Sequence, residues 1–199
     1  MSRPSPARPG KTGDTGRRSR GQTLAEFGVV LSLLMTVMLG IFQVSYLIYQ
    51  QYVAVNLARE GANLILRQSP FDAAAAAIRS ALADPQFDAN TRLILSVVQL
   101  GTAPGPNLGN AIIIQRHAWG MSTGKSVLGD PPSSSYDPKN DYTAMDLARD
   151  SSIQAKSPLP NGLLINPGQL VHVAEIYRKR RDIVPLTGVP DSLYSVTYF

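Results

Sequence analysis

Residues 17–42 read RRSRGQTLAEFGVVLSLLMTVMLGIF. Three arginines, Arg17, Arg18 and Arg20, stand directly before a run that holds no ionisable side chain from Phe27 to Tyr49, and Glu26 sits at the mouth of that run. As a helix rising ~1.5 Å per residue, such a run is ~33 Å long, which matches a bilayer's hydrocarbon core. Its polar interruptions are mild: Ser32, Thr36, Gln43 and Ser45. Tyr46, Tyr49 and Tyr52 gather at the far end, where amphipathic rings favour the headgroup region, and the arginines at the near end hold the N-terminus in the cytoplasm.

The charge of the whole chain points the same way. Of the formal net +5, all is carried by residues 1–21, where Arg3, Arg8, Lys11, Arg17, Arg18 and Arg20 face only Asp14; the other 13 basic and 13 acidic residues cancel. A basic leader beside an apolar run sets topology, so nucleic-acid binding loses its main support. With no cysteine, disulfides, a lipobox and thiolate metal sites are excluded.

Several ordinary segments compete for residues 17–49. A cleaved secretory signal has a shorter apolar core and a small-x-small site. A twin-arginine signal needs apolar residues soon after its arginine pair, and Ser19, Arg20 and Gly21 stand there instead. A plain signal anchor explains the run and the arginines and leaves Glu26 unexplained. A carboxylate costs up to ~3 kcal/mol at the centre of a membrane helix, less near the interface, so it asks for a partner or a purpose. The bland one is a helix N-terminal acid stabilised by the macrodipole. The sharper one follows from spacing: a cut after Gly21 makes Gln22 the first residue, and its new ammonium on one subunit can neutralise Glu26 on a neighbour where the dielectric is low.

GQTLAEF, in this setting, resembles the processing site of type IV-like prepilins, and more narrowly the class III leader of tight-adherence (Tad) pilus proteins. The continuation YLIYQQYVAVNLAREGANLIL resembles the helix of TadE-like minor pilins, whose recurrent AREGA element is here Ala58, Arg59, Glu60, Gly61 and Ala62. Gln22 departs from the Phe usual in type II pseudopilins and type IVa pilins. The resemblance covers residues 17–68. It implies a prepilin peptidase cutting between Gly21 and Gln22, methylation of the Gln22 amine, recognition through Glu26 and Phe27, and assembly with other pilin or pseudopilin subunits at an inner-membrane platform. The precursor is then single-pass, with residues 1–21 as cleaved leader, 22–67 as the N-terminal helix and 68–199 as a periplasmic or extracellular domain. No cofactor is expected.

Beyond the membrane run, Ala54, Leu57, Ala58, Gly61, Leu64 and Ile65 oppose Asn56, Arg59, Glu60, Asn63 and Arg67, as on an amphipathic helix continuing to residue 67. Gly40 interrupts the membrane half, as at a close helix contact. Ser69 and Pro70 read as N-cap and first residue of a second helix reaching Leu82, striped by Phe71, Ala75, Ile78 and Leu82. The period then changes. Short β-branched or aromatic runs at 92–100, 111–119, 170–177 and 194–199 predict one antiparallel sheet, with a surface loop at 120–140 and a short helix over Tyr142–Ser151. A long helix on an antiparallel sheet is α+β, the general plan of pilins.

Four groups of residues could carry chemistry. Gly120–Gly124, GMSTG, satisfies G-x-S-x-G, and a signal-anchored periplasmic hydrolase using Ser122 is the rival reading; yet an elbow needs a helix after the serine and a histidine in a loop, and neither is evident. GMSTGKS nearly spells a phosphate loop but has Trp119 where glycine is required. His117 and His172 lie on different predicted strands without clustered acids, so no metal site is expected. Arg178–Arg181, RKRR, reads as a solvated loop. An anchored binding domain without processing is the third reading.

Overall fold

The computed structural model describes residues 15–156, 159, 162–182 and 190–199, with side chains described from Gly21 onward; Arg17, Arg18 and Arg20 therefore fall outside the described side chains. The chain divides into two compact units, one up to Ser45 and one from Tyr46 to Phe199. No proline lies between Pro9 and Pro70, and the first helix, α1, runs unbroken over Thr15–Leu66. It stops where the expected helix stops. Gln68 takes φ +63°, its amide and that of Ser69 return to the Ile65 and Leu64 carbonyls, and Pro70 cannot continue the turn.

In the first unit α1 shows no apolar face, because it is apolar all round. Leu24, Phe27, Val30, Leu34, Met38 and Ile41 are all exposed, and such a helix is stable only in lipid or among other helices. Two of its hydroxyls are already satisfied: Ser32 Oγ donates to the Val29 carbonyl at 2.8 Å and Thr36 Oγ1 to the Ser32 carbonyl at 2.9 Å. That removes most of their cost in an apolar medium. Among the described residues one helix, spanning Gly21–Leu66, is long and apolar enough to cross a membrane.

The second unit begins with the C-terminal part of α1. Ala54, Leu57, Ala58, Gly61, Ala62 and Ile65 are buried there, while Arg59 and Glu60 are exposed. This gives the AREGA element a physical reading. Its small residues are the ones pressed on the domain, and a Cβ built on Gly61 would lie 2.9 Å from Ile78 Cδ1 and 3.3 Å from Ala174 Cβ. Helix α2, Phe71–Leu82, buries Phe71, Ala74, Ala75 and Ile78. Ser69 does not cap it. Pro70 occupies the cap position, and the Phe71 amide takes its acceptor from far away, Asp141 Oδ1 at 2.8 Å. A short turn, α3 (Phe87–Asn90), leads into the sheet.

The sheet has six strands: β1 (Thr91–Leu100), β2 (Ala111–Gly120), β3 (Tyr136–Asp137), β4 (Thr143–Ala144), β5 (Leu170–Lys179) and β6 (Ser192–Tyr198), in the order β3-β4-β2-β1-β5-β6 and antiparallel throughout. The four expected strands are β1, β2, β5 and β6. The two added ones are two residues each, too short for a period to declare them. β1 is central and buried on both faces. Leu93, Leu95 and Val97 meet α1 and α2, and Val98 joins a second core with Leu128, Tyr136, Ile153, Val171 and Val173. The architecture is α+β.

Two further sequence expectations fail here. The 120–140 stretch is not only surface, since Ser126, Leu128 and Tyr136 are buried in it over the second face of the sheet. Tyr142–Ser151 forms no α-helix. Asp141 and Tyr142 take φ +46° and +58°, and the Asp146 and Asp150 carboxylates accept from backbone amides two and three residues on, so side chains compete with a helical ladder.

Candidate assembly segment and an internal carboxylate site

The expected processing segment lies in the first unit. Gly21 is helical, and no heavy atom lies within 4 Å of where its Cβ would be. One turn on, Gln22 Nε2 donates to Glu26 Oε1 at 2.9 Å, both side chains being exposed. Gln22 and Glu26 thus share a face of α1, and Phe27, also exposed, begins the apolar surface beside them. The structure brings Gly21, Gln22, Glu26 and Phe27 together on consecutive turns. A cut after Gly21 would place the new amine on the residue that already approaches Glu26.

Among the described residues of the second unit, a cluster of polar groups lies elsewhere, on the sheet face covered by residues 121–156. Glu175 of β5 is 0% exposed. Its Oε1 accepts from Ser126 Oγ at 2.5 Å, and its Oε2 accepts from the Val127 amide at 3.1 Å and from Tyr194 Oη at 3.2 Å. Burial pushes the Glu175 carboxyl above its ordinary value, opposed by those hydrogen bonds and by the Arg116 guanidinium. Arg116, 7% exposed, reaches Asp130 Oδ1 at 3.3 Å, and its own pKa is lowered by burial. Asp130 Oδ1 also accepts from the Ser126 amide at 3.4 Å. Glu175 and Arg116 together hold a strap of backbone, 124–130, down on the sheet. Gly124 completes it: at φ +102° its backbone lies on the Tyr177 ring, whose hydroxyl donates to the Lys125 carbonyl.

With this geometry in view, residues 21–63 match the family model described as TadE-like protein. Over those residues the chain is similar to TadE-like proteins. The match opens at Gly21 and takes in Gln22, Glu26, Phe27 and the whole AREGA element, so the resemblance read from those residues is borne out. It stops before the sheet, and the internal carboxylate site lies outside the TadE-like span. No curated protein and no solved structure matches the chain.

Beyond the TadE-like helix, the other sequence candidates take structural places. Ser122 is exposed at the start of the excursion, its carbonyl accepts from Arg92 Nη1 at 2.7 Å, and no helix follows it among the described residues up to Pro132. The Gly-Lys-Ser of the near phosphate loop is accounted for by Tyr177 and Glu175, not by phosphate. His117 stacks on Tyr142 at 3.9 Å and meets Trp119 edge-on at 4.5 Å, and burial lowers its pKa. His172 pairs through its backbone with Phe199. Among the described residues no group of three or more His, Cys, Asp or Glu could hold a metal.

The RKRR cluster needs correction, because it is not a solvated loop. Arg178 and Lys179 end β5; Asp84, at the end of α2, takes Arg181 Nη2 at 2.8 Å and Arg178 Nη2 at 3.8 Å, and Arg180 pairs with Asp182 at 2.7 Å. Gln50 of α1, 2% exposed, clamps the same segment: its Nε2 donates to the Arg181 carbonyl at 2.8 Å and its Oε1 accepts the Arg181 amide at 3.0 Å. Sequence reasoning also missed Glu175. The available signal was parity: Val171, Val173 and Glu175 fall on one side of β5, so an acid in that series has to be buried with partners.

Proposed function

We propose that the chain is a minor pilin or pseudopilin of a Tad-type pilus apparatus and acts by assembly, not catalysis. In this reading it is made as a precursor whose leader stays in the cytoplasm under Arg17, Arg18 and Arg20, while the domain from residue 68 is exported to the periplasm. A prepilin peptidase cuts after Gly21, and residues 27–49 then hold the subunit in the bilayer or among neighbouring subunits on the inner-membrane platform.

The observation that carries the reading is the register of Gly21 and Glu26 at the mouth of a helix apolar on all sides, inside the TadE-like span. Peptidases take extended substrate, so cutting requires local unwinding of α1, and glycine at position 21 lowers that cost by about 1 kcal/mol relative to alanine. After the cut, the ammonium of Gln22 and the carboxylate of a neighbour's Glu26 neutralise each other where unpaired charge is expensive. The test is the N-terminal residue and mass of the protein recovered from its native membrane. A start at Gln22 supports the proposal; retention of the arginine leader overturns it.

A further inference from the structure

The second unit carries an open strand edge beside a basic groove. β2 pairs with β1 along one side, but on the other it meets β4 only at Gln115 opposite Thr143, closed by the Arg116 amide donating to the Tyr142 carbonyl at 3.1 Å. Alternate residues of an antiparallel strand turn their backbone groups to opposite sides. The Arg116 amide goes outward, and the Met121 amide goes inward to the Thr91 carbonyl at 2.9 Å. Ala118 shares the parity of Arg116, so its N–H and C=O face an edge where no strand lies among the described residues.

A cavity of about 960 Å³ opens at this edge, lined among others by Arg92, Arg116, Ala118, Lys125, Tyr136 and Tyr142. Its lining carries those three cations and one acid, Asp130, and with Glu175 buried beside Arg116 the balance is still one positive charge. Arg116 is nine-tenths buried, its Nη2 makes one long contact to Asp130, and its Nη1 has no hydrogen-bond partner. An unpaired strand edge supplies main-chain hydrogen bonds to an extended peptide, apolar walls take its alternate side chains, and an Arg/Lys cluster selects acidic ones.

We propose that this groove binds an extended segment of a partner protein, added as a strand against Ala118, with an Asp or Glu side chain reaching Arg116 and Lys125. The site goes beyond the maturation reading and stands whether or not Gly21 is cut, so the two fail separately.

The test uses the full chain in lipid nanodiscs and a displayed library of random linear peptides, with selected sequences then synthesised. The expected result is a set rich in Asp and Glu whose binding slows hydrogen exchange at the Ala118 amide by about tenfold or more. Lys125→Glu, on an exposed side chain, should weaken those peptides about tenfold without changing the circular dichroism. Ala118→Pro, which removes the outward amide at an edge position and also fixes φ there, should abolish them while leaving the circular dichroism unchanged. The proposal is overturned if no sequences are selected, if they lack acidic residues, if Lys125→Glu leaves them unaffected, or if inorganic phosphate displaces them with no change at the Ala118 amide.

Discussion

Ser126 Oγ lies 2.5 Å from Glu175 Oε1, joining residues 49 apart in sequence in a fully buried hydrogen bond. The same hydroxyl oxygen accepts the Leu128 amide at 3.1 Å, so one side chain serves both the carboxylate and the strap above it. Ser126→Ala removes both and leaves Glu175 with fewer donors in a dry site. Hydrogen bonds to buried charged groups contribute about 1.5–3 kcal/mol, and a loss of that size is expected in urea unfolding followed by Trp119 fluorescence. A loss below about 0.5 kcal/mol would show that the strap is held by its apolar contacts alone.

The same carboxyl makes stability depend on pH. Its folded pKa is raised above the ordinary 4.5 because burial disfavours the anion. Between 4.5 and the raised value the folded state keeps a proton that the unfolded chain has lost. The contribution is therefore fully present below 4.5 and is lost as pH rises through the folded pKa. Glu175→Gln, which cannot titrate, should show a flatter stability curve above pH 4.5 than the wild type. Each unit of elevation corresponds to about 1.4 kcal/mol of difference. Equal slopes in the two proteins would remove Glu175 as the cause.

Gly61 lies where α1 passes close against α2 and the sheet. Gly61→Ala meets Ile78 Cδ1, a movable methyl, at 2.9 Å, and the better helix propensity of alanine offsets part of the strain. The same first carbon lies 3.3 Å from Ala174 Cβ and 3.4 Å from Leu95 Cδ2, tight contacts that both variants meet, and Gly61→Leu has to drive three further carbons past them. It should cost about 3 kcal/mol, with Ala close to neutral, measured as shifts in the urea midpoint. Equal costs for the two would contradict a steric role for this glycine.

What could be read from the residues was whatever repeats. The 2-residue alternation of β1, β2, β5 and β6, the helical stripes of α1 and α2, and the long apolar run all declare themselves within a short window. Long-range polar pairing does not. Nothing near Arg181 in sequence announces Gln50, and nothing near Phe71 announces Asp141 as its cap, because those partners are 131 and 70 residues away. The mistaken helix at Tyr142–Ser151 has the same origin. Its composition permits a helix, and the left-handed turn at Asp141 and Tyr142 goes with a contact 70 residues away, the Phe71 amide donating to Asp141 Oδ1. The Gly21–Phe27 pattern was legible because it lies within two turns of helix, whereas the Glu175 site is assembled from β2, β5, β6 and a strap.

The clamp on Arg181 predicts where the domain opens. Arg178, Lys179, Arg180 and Arg181 are four consecutive tryptic sites, protected by Asp84 and by the paired hydrogen bonds of Gln50. Gln50→Ala leaves the Arg181 backbone groups without those partners, and Asp84→Asn removes the charge shared by two arginines. Either variant should be nicked at these sites several times faster than wild type in native limited proteolysis, while cleavage after Arg67 keeps its rate. Unchanged nicking at 178–181 would mean that the clamp does not limit local opening.

Glu26 separates a bare anchor from an assembling subunit. In the chain itself its carboxylate already accepts from Gln22 Nε2, so a neutral Gln at position 26 can keep an amide contact along the helix while losing the charge. If the carboxylate serves only its contact with Gln22 along the helix, Glu26→Gln should cost a few tenths of a kcal/mol and leave incorporation intact. If it neutralises a neighbour's freed amine, the variant should still insert and still reach the mature mass, yet its incorporation should fall about tenfold or more, since one unpaired ammonium then remains at each subunit contact. The measurement is the ratio of assembled to membrane-free-standing subunit at matched expression, with the N-terminal residue determined for both pools. Incorporation of Glu26→Gln and Glu26→Ala at the wild-type ratio would leave the carboxylate without a role between subunits.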